Sequence, residues 1–264
     1  MHKKFVFSRS RVITWQVLIL LLILMSWQLF SRSNHVAFFI GEPLIVFSRL
    51  VHWLVLDQDV YRHLGITLLE TGLAFSMGTI TGTMCGLFLG LSPTFSAIFD
   101  PYLKALNSMP RVILAPMFAV WFGLGIWSKV ALAITLVFFV VFFNVYQGVK
   151  EVSPSILANA KMLGATQRQL VRTVYLPSAT SWVFSSLHTA IGLAFVGAVV
   201  GEYLGSSAGV GYLILQAEGS FDINTVIAGI ILLTICALLL DAIVGFIENK
   251  LMVWRPQSSA DNRL

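Results

Sequence analysis

Residues 130–149 read VALAITLVFFVVFFNVYQGV, and residues 150–177 continue KEVSPSILANAKMLGATQRQLVRTVYLP. The first stretch holds no Asp, Glu, Lys or Arg and is as long as the roughly 20-residue apolar helix that a bilayer core needs. The second is polar and patterned. It runs from Lys150 past Arg172 into another charge-free run, residues 173–201. An apolar span, an ordered polar loop and a second apolar span describe a helical membrane protein.

Composition extends that reading to the whole chain. Of 264 residues, 57% are hydrophobic and 11% charged, with mean hydropathy +0.85. A soluble domain carries roughly a quarter charged residues, so too little polar surface is present for a water-soluble globule. Disorder, collagen and nucleic-acid binding are excluded as well, despite a pI near 9.4 and a net charge of +5. Further charge-free runs lie at 12–31, 71–99, 112–128 and 223–240. The expected fold is all-α and polytopic, with six transmembrane helices.

Lysine and arginine counts set the orientation. With the N-terminus inside, cytoplasmic segments hold 13 of the 17, leaving Arg32, Arg49, Arg62 and Lys129 outside. That bias places both termini in the cytoplasm. The first run is too long for a signal peptide's apolar region and lacks an Ala-x-Ala cleavage pattern, so it reads as an uncleaved span. Cys85 and Cys236 sit in apolar runs and form neither a disulfide framework nor a metal motif.

Within the spans, Ala74, Gly78, Gly82, Gly86 and Gly90 recur every four residues. Such a ladder brings two helix backbones together in lipid. Glu70 reads as interfacial, Asp241 lies near the inner surface, and His188 reads as a lone hydrogen-bonded packing residue. Gly123-Leu-Gly125-Ile-Trp-Ser-Lys129 lacks the spacing of a phosphate-binding loop. No paired carboxylates or Ser-His-Asp set emerges. No catalytic, cofactor-binding or metal residues are assigned, and the chain is not expected to be an enzyme.

The polar loop is the most informative part. Ser153 followed by Pro154 predicts an N-cap with proline in the first helical position. Ile156, Ala160 and Leu163 share a face, and Gly164 suits a left-handed helix end. Thr166 with Gln169 predicts a capping box for a second helix, interrupted at Pro177. A helix of about three turns is too short to stand alone, so it needs a partner surface.

The run Ala158-Asn-Ala-Lys-Met-Leu-Gly164-Ala165 with Leu176-Pro177 resembles the "EAA" loop of ABC importer permeases. Asn107-Ser-Met-Pro110-Arg111, Ala115-Pro116, Trp121-Phe122-Gly123 and Glu202 with Gly209-Val-Gly211-Tyr212 extend the resemblance from about Tyr61 to Pro256. Together they resemble the nitrate/sulfonate/taurine-type permease group. The family's usual Glu falls on Ala158 here; Asn159 and Glu151 are candidates to replace it.

The resemblance implies a type I importer fold divided into residues 1–60 (tail, first span and outer segment), a permease domain at 61–250 with the coupling loop at 150–177, and a cytoplasmic tail at 251–264. It implies a homodimer in a prokaryotic inner membrane, working by alternating access with cytoplasmic ABC ATPase subunits and an extracytoplasmic solute-binding protein. ATP would be bound by the ATPase, with no cofactor in this chain. Ile156, Ala158, Asn159, Ala160, Lys161, Leu163, Gly164 and Ala165 would form the ATPase-coupling segment. Glu202, Gly209 and Gly211 would belong to an outer gate or a binding-protein contact. Nitrate, sulfonates, taurine, pyrimidines and aromatic carboxylates are cargoes in that group, and the spans hold no cation cluster that would select an anion. The competing reading is a self-contained channel or secondary carrier gated by the glycine-striped second span.

Overall fold

A computed structural model describes residues 9–251. Lys3 and Lys4 at one end, and Arg255, Pro256 and Arg263 at the other, lie outside the described residues. All regular structure among the described residues is helical. In order, it comprises α1 (Arg9–Phe30), α2 (Asn34–Ile40), α3 (Pro43–Val55), α4 (Gln58–Leu91), α5 (Pro93–Ser108), a 3-10 turn (Arg111–Leu114), α6 (Ala115–Phe122), α7 (Ile126–Lys150), α8 (Pro154–Met162), α9 (Gln167–Leu170), a π-helical turn (Val171–Tyr175), α10 (Leu176–Gly205), α11 (Val210–Gly219) and α12 (Ile223–Leu251).

The centre is a three-helix packing of α4, α7 and α10. The glycine ladder of α4 packs against α7. A Cβ at Gly78 would stand 2.7 Å from Val137 Cβ, and one at Gly82 would stand 2.8 Å from the Phe138 carbonyl oxygen. At Gly86 the same atom would be 2.8 Å from the Phe142 carbonyl oxygen, and at Gly90 2.8 Å from Val149 Cβ. Facing valines at 137, 141, 145 and 149 are buried, as is Ala74. Nearer the N-terminus of α7, Gly197 of α10 lies against Ala133, and Gly201 against Lys129. Dispersion between such close backbones holds helices together where lipid removes the hydrophobic driving force.

Hydrogen bonds show which segments cross the bundle. The Ser31 hydroxyl donates to the Gly41 carbonyl at 2.7 Å, and Trp27 Nε1 donates to Ile40 O at 3.0 Å, so α2 returns to the end of α1. Glu42 N donates to Asn224 Oδ1 at 2.7 Å, and Arg49 reaches Asp222 at 3.3 Å, both at the start of α12. Near the start of α4, His63 Nδ1 accepts from Gly209 N at 3.0 Å. Residues 31–63 therefore stay at one end of the bundle, opposite α8. The His35–Val55 segment is long and apolar enough to span, yet it begins and finishes at that same end.

The crossing after α4 is broken instead. Ser96 hydrogen-bonds Tyr146 near the α8 end, whereas Leu124, just beyond α6, lies against Gly205 at the other. Between them α5 and the 3-10/α6 unit are bent by 83°. Six passes result: α1, α4, the α5–α6 pair, α7, the α9–α10 rod and α12. The number matches the sequence reading, but the boundaries do not. The run 71–99 is not one span, because α4 starts at Gln58 and stops at Leu91, before Ser92-Pro93. Proline lacks the donor and disfavours helix in the preceding residue. The run 112–128 is the second half of the broken pass joined to the first turn of α7. Pro177 does not interrupt its helix either. It sits in the first turn of α10, where a missing N–H costs little, and the π-helical turn carries the backbone smoothly into it.

Candidate functional site: a coupling loop and a buried outer cluster

At one end, the loop folds as its capping residues dictate. Ser153 precedes α8 with Pro154 in its first turn, although the Ser153 hydroxyl pairs with Ser155 at 2.7 Å rather than with a backbone N–H. Gly164 adopts φ +81°, a left-handed value that a side chain disfavours, and its N–H donates to Lys161 O at 2.9 Å. Ala165 N then donates to Ala160 O at 3.0 Å. Thr166 and Gln169 form the reciprocal capping box, with Thr166 N donating to Gln169 Oε1 at 2.8 Å.

No residue of α8 is buried. Leu163 is 89% exposed, Met162 79% and Ile156 53%, while Ala160 is half-buried and Ala158, Asn159, Lys161 and Gly164 are exposed. The apolar patch thus centres on the helix exit, with Met162 added to the expected face. Glu151 faces Gln147 at 2.8 Å and is engaged within its own helix end.

The opposite end holds a polar cluster inside an apolar bundle. Glu202 is fully buried, and Glu70 and Lys129 are each 1% exposed. Glu202 Oε1 accepts from the Thr67 hydroxyl at 2.6 Å, and its Oε2 accepts from Gly211 N at 2.8 Å. The Thr67 oxygen also accepts from Val210 N at 3.0 Å. Lys129 donates to the Leu124 carbonyl and, at 2.9 Å, to the Gly125 carbonyl. The stem of Lys129 fills the space that Gly201 leaves open, since a Cβ there would be 2.9 Å from Lys129 Cγ. Glu70 lies one turn beyond Thr67 on α4, and Lys129 packs beside Gly201, next to Glu202.

This cluster revises several expectations. Glu70 is not interfacial; it is enclosed between helices. Lys129 is not an outer-loop cation but a buried group in the first turn of α7. Glu202, Gly209 and Gly211 come together as expected, but all three are buried, so their side-chain surface is not offered to a docking protein. Of the 21 residues 202–222, 14 are helical, four at the end of α10 and ten in α11. Outside the cluster, His188 is not alone. Its Nδ1 lies 2.7 Å from Asp241 Oδ1 and its Nε2 3.0 Å from Glu248 Oε2, which ties α10 to α12 near the α8 end. A cavity of about 500 Å³ at the end opposite α8 is walled by Phe38, Phe39, Phe221 and Tyr203, with Glu218 also lining it. The Phe38 and Phe221 rings there stack at 6.4 Å.

A coupling-type loop on a broken-pass bundle defines a class, and comparison with known proteins identifies it. Residues 78–253 match the family model for the binding-protein-dependent transport system inner membrane component, and the chain belongs to that family. It is 34% identical over 202 residues to the putative aliphatic sulfonates transport permease protein of Bacillus subtilis (strain 168), covering 76% of this chain and 73% of that one. It is 30% identical over 238 residues to the formylaminopyrimidine transport permease protein of Halalkalibacterium halodurans, covering 90% and 94%. Its fold matches the MetNI methionine ABC transporter in inward-facing conformations, with TM-score 0.61, 20% identity, and coverage of 76% of this chain and 97% of that chain. The protein is a membrane-embedded permease subunit of an ABC importer, a transport component, and the self-contained carrier is not favoured.

Proposed function

We propose that this permease works as a homodimer in a prokaryotic inner membrane, with both termini cytoplasmic. The exposed α8 docks on an ABC ATPase, and a solute-binding protein delivers cargo to the opposite face. The observation that carries the reading is α8 itself, a self-capped helix whose apolar exit residues, Met162 and Leu163, are left almost wholly uncovered. A short helix is stable only against a surface. ATP, bound by the ATPase, drives alternating access to the extent that the closed ATPase dimer favours one state of the permease.

The broken pass supports the homodimer. Irregular backbone at Met109–Pro110 and Gly123–Gly125 is tolerated at membrane depth only inside protein or against a water-filled path. Beside it, Val120 is 83% and Trp121 63% exposed. A second copy packed there covers both and leaves the bend lining the route for solute. Orientation follows from the Lys and Arg bias, since residues 31–63 and 202–222 share the end opposite the cationic loop.

For cargo, a small heteroaromatic compound is better supported than a small anion. Segment 202–222 carries Glu202, Glu218 and Asp222 and no Lys or Arg. The formylaminopyrimidine permease matches 238 of this chain's 264 residues, so the match starts no later than residue 27 and includes Phe38 and Phe39 of the aromatic cavity.

Ala160→Cys, paired with cysteines along the groove of the ATPase made with it, tests the coupling arm. A disulfide whose yield changes with ATP is the expected result, and no crosslink at any position, with both proteins folded, overturns it. Competition of uptake by a 4-aminopyrimidine against taurine and nitrate tests the cargo arm. Inhibition by the anions alone overturns it.

A further inference from the structure

Three helices of the scaffold each bury one ionisable side chain in the same region: Lys129 of α7 fills the space beside Gly201, next to Glu202 of α10, and Glu202 bonds Thr67, one turn before Glu70 on α4. Burying charge is expensive unless it is paired and hydrogen-bonded. Glu202 meets that condition at the start of α11, where it accepts from Gly211 N and Thr67, and Thr67 in turn accepts from Val210 N. A carboxylate at a helix N-terminus is favoured by the unpaired N–H groups and by the helix dipole. Gly209, which precedes α11, offers only hydrogen where the Glu202 carboxyl sits. Thus α11 is capped by a side chain from α10 rather than by its own preceding residue.

We propose that Glu70 and Lys129 are positioning residues that keep Glu202 as the anionic cap of α11. They thereby latch the loop 206–211 and α11 to the α4–α7–α10 scaffold. No donor reaches Glu70 Oε2, and the Glu202 carboxyl is buried in the same region, bonded to Thr67 one turn before Glu70 on α4. Ionised carboxylates only accept, so contact between two of them requires one proton. Glu202 already accepts from two donors; the proton therefore belongs to Glu70, which donates to Glu202. The remaining charges are then one ammonium and one carboxylate, and the cluster is neutral. Lys129 contributes more than charge. Its bonds to Leu124 and Gly125 hold the turn between α6 and α7, so the latch joins the broken pass to α11.

The latch rests on the permease reading only for its use in transport; the placement of α11 is measured without transport. Val210 is fully buried under the latch. In a background carrying Cys85→Ala and Cys236→Ala, Val210→Cys is exposed to a membrane-impermeant maleimide from the outer face of nanodiscs. Protection is expected in this parent. Lys129→Met should raise the labelling rate by about tenfold or more, because local opening exposes what the latch covers. Adding Glu202→Gln to Lys129→Met should restore most of the protection, since it removes the stranded charge but keeps an acceptor for Gly211 N. Glu70→Gln, which retains a donor, should stay protected, and Glu70→Leu should not.

Parent-like protection in both Lys129→Met and Glu70→Leu would overturn the proposal. So would equal labelling of Lys129→Met with and without Glu202→Gln, which would reduce Lys129 to a packing role. Loss of protection at α11 with uptake unchanged would leave the latch standing and show that transport does not use it.

Discussion

Gly209 and Glu202 compete for one volume: the carboxyl of Glu202 stands where a Gly209 Cβ would be, and Gly209 holds φ at +105°. A residue with a side chain at 209 is therefore opposed twice, by its own backbone conformation and by a buried charge that has nowhere else to hydrogen-bond.

Gly209→Ala should consequently destabilise the permease by more than either effect alone. A backbone at φ 105° and ψ 165°, a region essentially reserved for glycine, costs an L-residue about 1–3 kcal/mol, and overpacking adds roughly 1–3 kcal/mol. Thermal unfolding in detergent checks this against Gly219→Ala, where φ is not positive and nothing lies within 4 Å of a Cβ. The control should melt close to the parent. Equal melting of the two variants would show that Glu202 moves aside without cost.

The ladder on α4 gives a second contrast. A Cβ at Gly86 would press on the Phe142 carbonyl oxygen at 2.8 Å and on Val145 Cβ at 2.9 Å, and backbone cannot rotate away as a side chain can. Gly86→Ala should force α4 and α7 apart and lower stability by about 1–3 kcal/mol. Gly72, on the same helix, has nothing within 4 Å of a Cβ. Gly72→Ala should be neutral or stabilising by up to about 1 kcal/mol, through helix propensity. A melting curve that drops for both would show that propensity arguments fail on this helix.

The contrast between these glycines was half legible in the sequence. Spacing by four identified Gly78, Gly82, Gly86 and Gly90 as one stripe, and the Pro154, Gly164 and Thr166–Gln169 signals marked the start, turn and second helix of the loop at 150–177, because these are local chemistry, although Ser153 does not cap with its side chain. Long-range polar pairing was not legible. Glu70, Lys129 and Glu202 are separated by 59 or more residues, and each alone reads as a charge near a span boundary. His188 likewise looked solitary until α12 brought Asp241 and Glu248 against it. Charge-free length also misplaced α4, because a buried ionisable residue such as Glu70 ends an apolar run without ending a helix.

Arg49 and Asp222 make the contact between α3 and α12 sensitive to acid. Burial alone would raise the Asp222 carboxyl, but the Thr225 hydroxyl, the Thr225 N–H and the Arg49 guanidinium outweigh it and hold it below its ordinary value of 3.8. A carboxyl lowered by folding adds stability that is complete above that ordinary value and fades as pH falls through the lower, folded one. Both side chains are more than a third exposed, so screening keeps the contribution small. Protection of the α3 amides from hydrogen exchange, taken relative to the intrinsic rate at each pH, should therefore fall, and the corrected exchange quicken, below about pH 4 in the parent. In Asp222→Asn it should already be faster at pH 7 and show no such step. A step of the same size in Asp222→Asn would assign the acid response to another group.

Gly164 separates folding of the coupling loop from its use. Nothing lies within 4 Å of a Cβ there, so substitution meets no steric neighbour, and only φ +81° discriminates among side chains. Proline fixes φ near −65° and removes the N–H that donates to Lys161 O. Gly164→Pro should therefore abolish uptake while membrane insertion and the melting of the α4–α7–α10 bundle stay close to the parent, because the turn lies outside that core. Asparagine tolerates the left-handed region, so Gly164→Asn should keep uptake within about twofold. Gly164→Val, β-branched and strained there, should fall between the two. Measuring uptake and melting across the three variants checks the order. Normal uptake in Gly164→Pro would mean that the exit angle of α8 does not matter to the ATPase, and the coupling assignment would fall with it.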